Sequence, residues 1–175
     1  MALLASLLLA LPLLLSSLLA TAQPGSDIDQ YLRAHNDFRE LHGAMPLAWS
    51  MTLANAAQTW VDRCQYRHSF GAVGNYGENL AVGTGDYTIE DAIQSWTDQS
   101  SQYDPGDPQG SGFTQVVWKN TREVGCAVKE CWGFFPPRLG PARFYACEYS
   151  PPGNRDGEYP YVLSSSTAFA GASRS

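Results

Sequence analysis

Residues 110–128 read GSGFTQVVWKNTREVGCAV. From Phe113 to Trp118 the side chains alternate, with Phe113, Gln115 and Val117 on one side and Thr114, Val116 and Trp118 on the other, which is the period of a strand. Glu123–Lys129 (EVGCAVK) supports the same reading, and so does Arg143–Tyr149 (RFYACEY), after a Gly- and Pro-rich connection that suits a long hairpin loop. The alternation predicts a small antiparallel sheet closing the chain. Gly112, at the mouth of the first run, brings no side chain to it.

Upstream the period changes. Ile28, Tyr31, Leu32, His35 and Phe38 recur three or four residues apart and predict a helix over Ser26–Leu41, capped by Ser26 or Asp27. Leu53, Ala57, Trp60, Val61 and Cys64 predict a second helix from Ser50 to about Cys64. A third begins at Thr88, with Asp91 placed for a capping box and Ile89, Ile93 and Trp96 turned inward. Between the second and third, residues 67–87 (RHSFGAVGNYGENLAVGTGDY) are glycine-rich and mostly aperiodic, which predicts a long ordered loop of the kind that carries function. It is no phosphate loop, because Gly83-Thr84-Gly85 lacks a third glycine and no Gly-Lys-Ser or Gly-Lys-Thr follows. Helices followed by strands describe an α+β chain.

The chain opens MALLASLLLALPLLLSSLLATAQPG, with small residues at Ala20-Thr21-Ala22, Pro24 next and no basic cluster after it. Residues 1–22 are therefore expected to be a cleaved secretory signal, the alternative being a retained anchor. About 150 residues remain, enough for one domain over residues 23–163. A small, polar tail over residues 164–175 is expected to be disordered. The formal net charge is −6 and no basic run offers a footprint for a phosphate backbone, which argues against nucleic acid as a partner. No Asn-x-Ser/Thr acceptor for N-glycosylation and no internal repeat is present. Cys64, Cys126, Cys131 and Cys147 form an even set suited to two disulfides, with three pairings open, and Cys126-x4-Cys131 lacks the second close pair of a zinc cluster.

Several short stretches then fall in order: AHNDFR at 34–39, His68-Ser69, Gly77-Glu78-Asn79-Leu80, FTQVVWKNT at 113–121, VGCAV at 124–128 and CEYSPPGN at 147–154. Together they resemble the CAP superfamily, the cysteine-rich secretory, antigen 5 and pathogenesis-related class 1 proteins, over about Ile28 to Tyr161. The resemblance implies a three-layer α-β-α sandwich around a central antiparallel sheet, the disulfides Cys64–Cys131 and Cys126–Cys147, and a secreted, extracellular protein, expected to be a monomer without cofactor. It also implies a cleft where two histidines and two glutamates gather to hold a divalent metal. The matching positions here are His68, Glu78, Gln99 and Gly112, so two of the four are lost. A stable zinc site wants three or four ligands at about 2.0–2.3 Å, and no metal is expected here. Asp98 is turned about 100° around the helix from Gln99, and His35 and His42 are separated by roughly 10 Å along theirs.

For catalysis, His68 with Glu78 offers a base and an orienting carboxylate, but no Gly-x-Ser-x-Gly elbow supplies a nucleophile. The expectation is no enzyme, with His68 and Glu78 pairing to brace the long loop. The resemblance further implies sterol binding through an aromatic-bearing loop before Phe-Thr-Gln. In this chain that link is short, its candidates being Tyr103, Pro105, Pro108 and Phe113, and Asp104 and Asp107 beside them resist desolvation. Fatty acid held between helices is the second ligand class implied. The reading is therefore a pathogenesis-related class 1-like secreted protein, a candidate sterol or fatty-acid binder in extracellular defence or virulence. One alternative is a module presenting Tyr66, Phe70, Tyr76 and Tyr87 to an extracellular protein partner. Another is release of a C-terminal signalling peptide from CEYSPPGNRDGEYPY, although Pro-Pro-Gly-Asn is equally good turn chemistry.

Overall fold

A computed structural model describes residues 26–159, so the expected signal segment and tail lie outside the described residues. Helix α1 (Asp27–Leu41) starts from a capping box in which Ser26 accepts from the Asp29 amide and the Asp29 carboxylate accepts from the Ser26 amide. Helix α2 (Met51–Val61) ends short of Cys64, which stands at φ 49°. Helix α3 (Ile89–Thr97) begins at the expected Thr88–Asp91 capping box and runs into a 3-10 turn at Asp98–Gln102. Four strands, β1 (Ala48–Trp49), β2 (Gly77–Thr84), β3 (Glu123–Cys131) and β4 (Ala142–Ser150), make one sheet in the order β1-β3-β4-β2. The β3–β4 and β4–β2 pairs are antiparallel, and the two-residue β1 adds a parallel pair beside β3.

Alternation along β4 sorts the layers. Tyr145, Cys147 and Tyr149 face α1, α3 and the short helix α4 (Gly112–Val116), where Tyr31, Ile93, Trp96, Phe113 and Val116 pack. Phe144 and Ala146 face α2, against Ala57, Trp60 and Val61. The α-β-α sandwich follows directly from that period of two. Gly125 lets α2 close on the sheet, since a Cβ there would lie 2.1 Å from the Ala54 nitrogen. The disulfides are Cys64–Cys131, tying the end of α2 to the end of β3, and Cys126–Cys147, between directly opposed residues of β3 and β4.

Two expectations are corrected. Phe113–Val116 is helical, and Phe113–Trp118 is buried on both of its alternating sides, so the alternation never marked an exposed face. The local reason is a third capping box, in which Ser111 Oγ accepts from the Thr114 amide and Thr114 Oγ1 accepts from the Ser111 amide. The tertiary reason is Arg39. Fully buried, it donates through Nη1 to the carbonyls of Val116 and Trp118 and through Nη2 to that of Thr121, filling acceptors that the end of α4 leaves open. The second correction falls in residues 67–87, whose last part forms β2, paired with β4 from Gly77 opposite Tyr149 to Thr84 opposite Ala142.

Candidate functional site

His68, Glu78, Gln99 and Gly112 all line one cleft of about 440 Å³, together with Tyr66 and Trp96. Edge strand β2 supplies Glu78, the preceding loop His68, the turn after α3 Gln99, and the first residue of α4 Gly112. The fold thus joins positions spread over 45 residues (68 to 112).

Glu78 anchors one wall. Its Oε1 accepts from His68 Nδ1 at 2.7 Å and from the Ser69 amide at 2.8 Å. Burial pushes the Glu78 carboxyl up, but these hydrogen bonds outweigh it and hold the group below its ordinary value. The bond to Glu78 raises His68 against partial desolvation. The imidazole itself is more than half exposed, so solvent screens the pair, whose hydrogen bond joins the loop to β2.

Beneath Glu78 lies Glu148, directly opposite it in the β2–β4 register and 1% exposed. Burial first, and then the neighbouring Glu78 charge, push its carboxyl up to about 9. At neutral pH Glu148 is thus the protonated member of a carboxyl pair and Glu78 the ionised one. Glu78 Oε2 and Glu148 Oε1 are buried without another partner among the described residues. The period of two in RFYACEY, which puts Phe144, Ala146 and Glu148 on one face, was the available signal for a buried glutamate.

The other wall is a closed network around Gly112. Its N–H donates to Gln99 Oε1 at 2.8 Å, and its carbonyl accepts from Asn79 Nδ2 at 3.0 Å. Asn79 also donates to the Tyr149 hydroxyl at 3.3 Å, which meets His35 Nε2 at 2.8 Å. With His35 Nδ1 committed to the Tyr31 carbonyl, burial holds this imidazole neutral, its value lowered to about 4. A Cβ at Gly112 would stand 2.9 Å from Trp96 Cβ, and the Trp96 indole is itself fixed by donating to the Leu80 carbonyl at 2.8 Å. There is consequently no room for a side chain at Gly112 without moving Trp96.

These residues do not fit a divalent metal. One imidazole and one carboxylate oxygen already bonded to it remain, and among the described residues no group of three or more His, Cys, Asp or Glu converges to hold an ion. Asp98 lies outside the cleft lining and His42 caps the end of α1.

The short link before α4 turns its aromatics inward. Phe113 is 2% exposed and Tyr103 stacks edge-on against it at 5.7 Å, while Pro105 is exposed and Pro108 partly so. A depression beside it is lined by Gln99, Gln102, Asp104, Asp107, Gln109 and Ser111 together with the Tyr103 ring, a mixed wall. Between α1 and α3 a second depression carries Asp27, Glu90 and Glu130. Of the loop aromatics, Tyr66 and Phe70 are exposed, whereas Tyr76 is half-buried and Tyr87 covers Gly83 and donates to the Asp91 carbonyl. In the C-terminal run, Asn154 accepts from Thr114 Oγ1 at 2.6 Å and donates to the Ser111 carbonyl, and the Gly153 amide donates to Gln115 Oε1. Gly153 and Asn154 thus tie this run to α4; Pro160 and Tyr161 lie outside the described residues.

Over 139 residues the chain is 37% identical to fruiting body protein SC14 of Schizophyllum commune, a match covering 73% of this chain and 63% of that protein. The chain therefore spans less than two thirds of that relative's length. It is 39% identical over 142 residues to pathogenesis-related protein 1A of Nicotiana tabacum, covering 75% of this chain and 79% of that one. The fold is similar to that of venom allergen-like protein 4 of Schistosoma mansoni, with a TM-score of 0.60 at 23% identity over 75% of this chain and 92% of that chain. A family model described as the cysteine-rich secretory protein family (CAP) matches residues 32–149.

Proposed function

We propose, for a chain that belongs to the cysteine-rich secretory protein (CAP) family, an extracellular and non-catalytic role as a binding module of the pathogenesis-related type, acting through its surface rather than through metal chemistry in its cleft. The observation that carries this reading is the network around Gly112, in which Gln99 and Asn79 hold its backbone and Trp96 leaves no room for a side chain. His68 and Glu78 are spent on each other, and the Ser69 hydroxyl beside them is engaged by the Glu78 carboxylate. Two disulfides and the apolar start of the chain support an extracellular location.

Zinc titration by calorimetry, paired with a hydrolase screen, tests the proposal. Absence of saturable zinc binding and of turnover is the expected result; turnover abolished by His68→Ala would overturn it.

The sterol and fatty-acid reading, for a role in defence or virulence, has less support from the geometry. Phe113 is buried, and the depressions lined in part by Tyr103 and by Ile89, Val128 and Tyr145 also carry carboxylates that resist desolvation. A titration with labelled sterol and fatty acid, run beside a relative with a longer aromatic loop, decides the point: saturable binding here would restore lipid sequestration as the function.

A further inference from the structure

The ten residues joining β3 to β4, WGFFPPRLGP at 132–141, take no part in the cleft, yet they hold a concentration of exposed apolar surface. Trp132 is 66% exposed, Leu139 46% and Phe135 37%, although Trp60, Trp96 and Trp118 are all buried. Large apolar side chains left together in water at a turn mark a contact surface. The turn is also held in shape. Phe134 is wedged edge-on between Tyr66 at 6.4 Å and Phe144 at 5.6 Å, and the Leu139 amide donates to the Pro136 carbonyl at 2.9 Å. Little conformational freedom remains to be lost on docking.

The charge around this tip is opposite to that of the molecule. The chain as a whole has 17 Asp and Glu against 11 Lys and Arg, whereas between Cys131 and Cys147 its charges are Arg138 and Arg143, the carboxylate bordering this stretch being exposed Glu130, which faces Arg143 across the β3–β4 pair. Exposed Arg63 and Arg67 flank Cys64, which the disulfide fixes beside Trp132, and Asp62 in that region is neutralised by Lys129 at 3.2 Å. Of these cations Arg143 is partly committed, donating to the Tyr87 carbonyl, and Arg63 rests over the Trp60 ring at 4.9 Å while staying exposed, so Arg63, Arg67 and Arg138 form the outward set, with Arg67 and Arg138 its less committed members. Tryptophan and phenylalanine at a tip, with arginines behind them, match the depth profile of a bilayer interface, where aromatic rings sit at headgroup level and cations meet anionic lipid. Pro136 and Pro137 withhold amide donors, which removes the backbone pairing that an extended peptide partner would use.

We infer that the β3–β4 hairpin tip docks this protein onto membranes containing anionic phospholipid, with Trp132, Phe135 and Leu139 entering the interface and Arg63, Arg67 and Arg138 facing the headgroups. The inference rests on the reading that the protein acts through its surface and names the partner class. It fails separately from that reading, since zinc and hydrolase results do not depend on vesicles.

The test is sedimentation of the protein recovered from culture medium with vesicles of phosphatidylcholine alone or of phosphatidylcholine with phosphatidylserine. Every version compared carries the same N-terminus, so differences among them belong to the hairpin. The wild type should pellet with anionic vesicles, more weakly as salt rises, and its fluorescence should be quenched by bromine-labelled lipid through Trp132. Trp132→Ser with Phe135→Ser should weaken binding about tenfold or more, and Arg138→Glu should remove the preference for phosphatidylserine. All three positions are exposed, and unchanged circular dichroism shows that the variants fold. Wild-type protein left in the supernatant, equal pelleting of the double variant, or capture of a protein through this tip without vesicle binding would each overturn the inference.

Discussion

At the scale of single residues, the cleft is governed by one missing side chain and one buried proton. Gly112→Ala places a Cβ 2.9 Å from Trp96 Cβ, an atom too close to its own backbone to swing aside. Overpacking of that kind costs about 1–3 kcal/mol, to be read from the urea midpoint. For the same reason Gly112→His combined with Gln99→Glu should not restore tight zinc binding, since the imidazole can enter only by displacing Trp96. Glu148 gives a pH signature. Its folded-state value, near 9, lies above the ordinary 4.5, so the native state keeps a proton that the unfolded chain has released. The stability it contributes is complete below about 4.5 and is lost as pH rises through about 9. His68 and Glu78 shift in opposite directions, and their mutual contribution is fullest between the ordinary values, 4.5 for Glu and 6.5 for His. Comparing wild type with Glu148→Gln isolates the first effect: the stability difference should move in favour of the variant between pH 5 and 9, and parallel curves would exclude the shared-proton pair.

At the scale of elements, α4 depends on a residue 77 positions away. Arg39→Met should strand the carbonyls of Met45 and Val116 and leave those of Trp118 and Thr121 only the Thr121 amide and Arg122 Nη1, a loss of about 3 kcal/mol or more. Hydrogen exchange should show α4 and the turn to β3 opening first; uniform protection would mean that Arg39 is not what holds them. This dependence also explains what the sequence could and could not reveal. The α3 capping box, a cap for α1 at Ser26 or Asp27 and the strands β3 and β4 were legible, because local hydrogen bonding and a two-residue period carry them; motif order named His68, Glu78, Gln99 and Gly112, four positions that line one cleft. The helical state of FTQV was not legible, because it is decided by enclosure on all sides and by Arg39, neither of which leaves a period. Strand β2 was hidden by its glycines: Gly77 makes way for the Gln115 side chain and Gly83 for the Tyr87 ring, so packing that other strands achieve with side chains is supplied here from neighbours. Asn79 in the cleft wall and Glu148 buried behind Glu78 escaped notice because their partners come from other elements.

At the scale of the molecule, the two bridges divide the labour unequally. Cys64–Cys131 closes a loop with a sequence separation of 67, enclosing β2, α3 and α4, whereas Cys126–Cys147 closes one of 21 within a single hairpin. On a chain-entropy account the larger loop contributes about 4 kcal/mol and the smaller about 3 kcal/mol. In a domain whose whole stability is of order 5–15 kcal/mol, either is a large fraction. The long bridge has a second consequence, because Cys64 lies between α2 and the loop that presents Tyr66 and His68, and Cys131 lies directly before the hairpin tip. Replacing Cys64 and Cys131 together by Ala should therefore lower the melting temperature by roughly 10 °C or more and raise amide exchange in two places at once, the 65–70 segment and the 132–141 hairpin. Loss of the Cys126–Cys147 bridge, buried in the sheet, should lower stability without that paired local loosening. If the first double variant melted normally, or loosened only one of the two segments, the view that the Cys64–Cys131 bridge joins the cleft rim to the hairpin as one mechanical unit would be wrong.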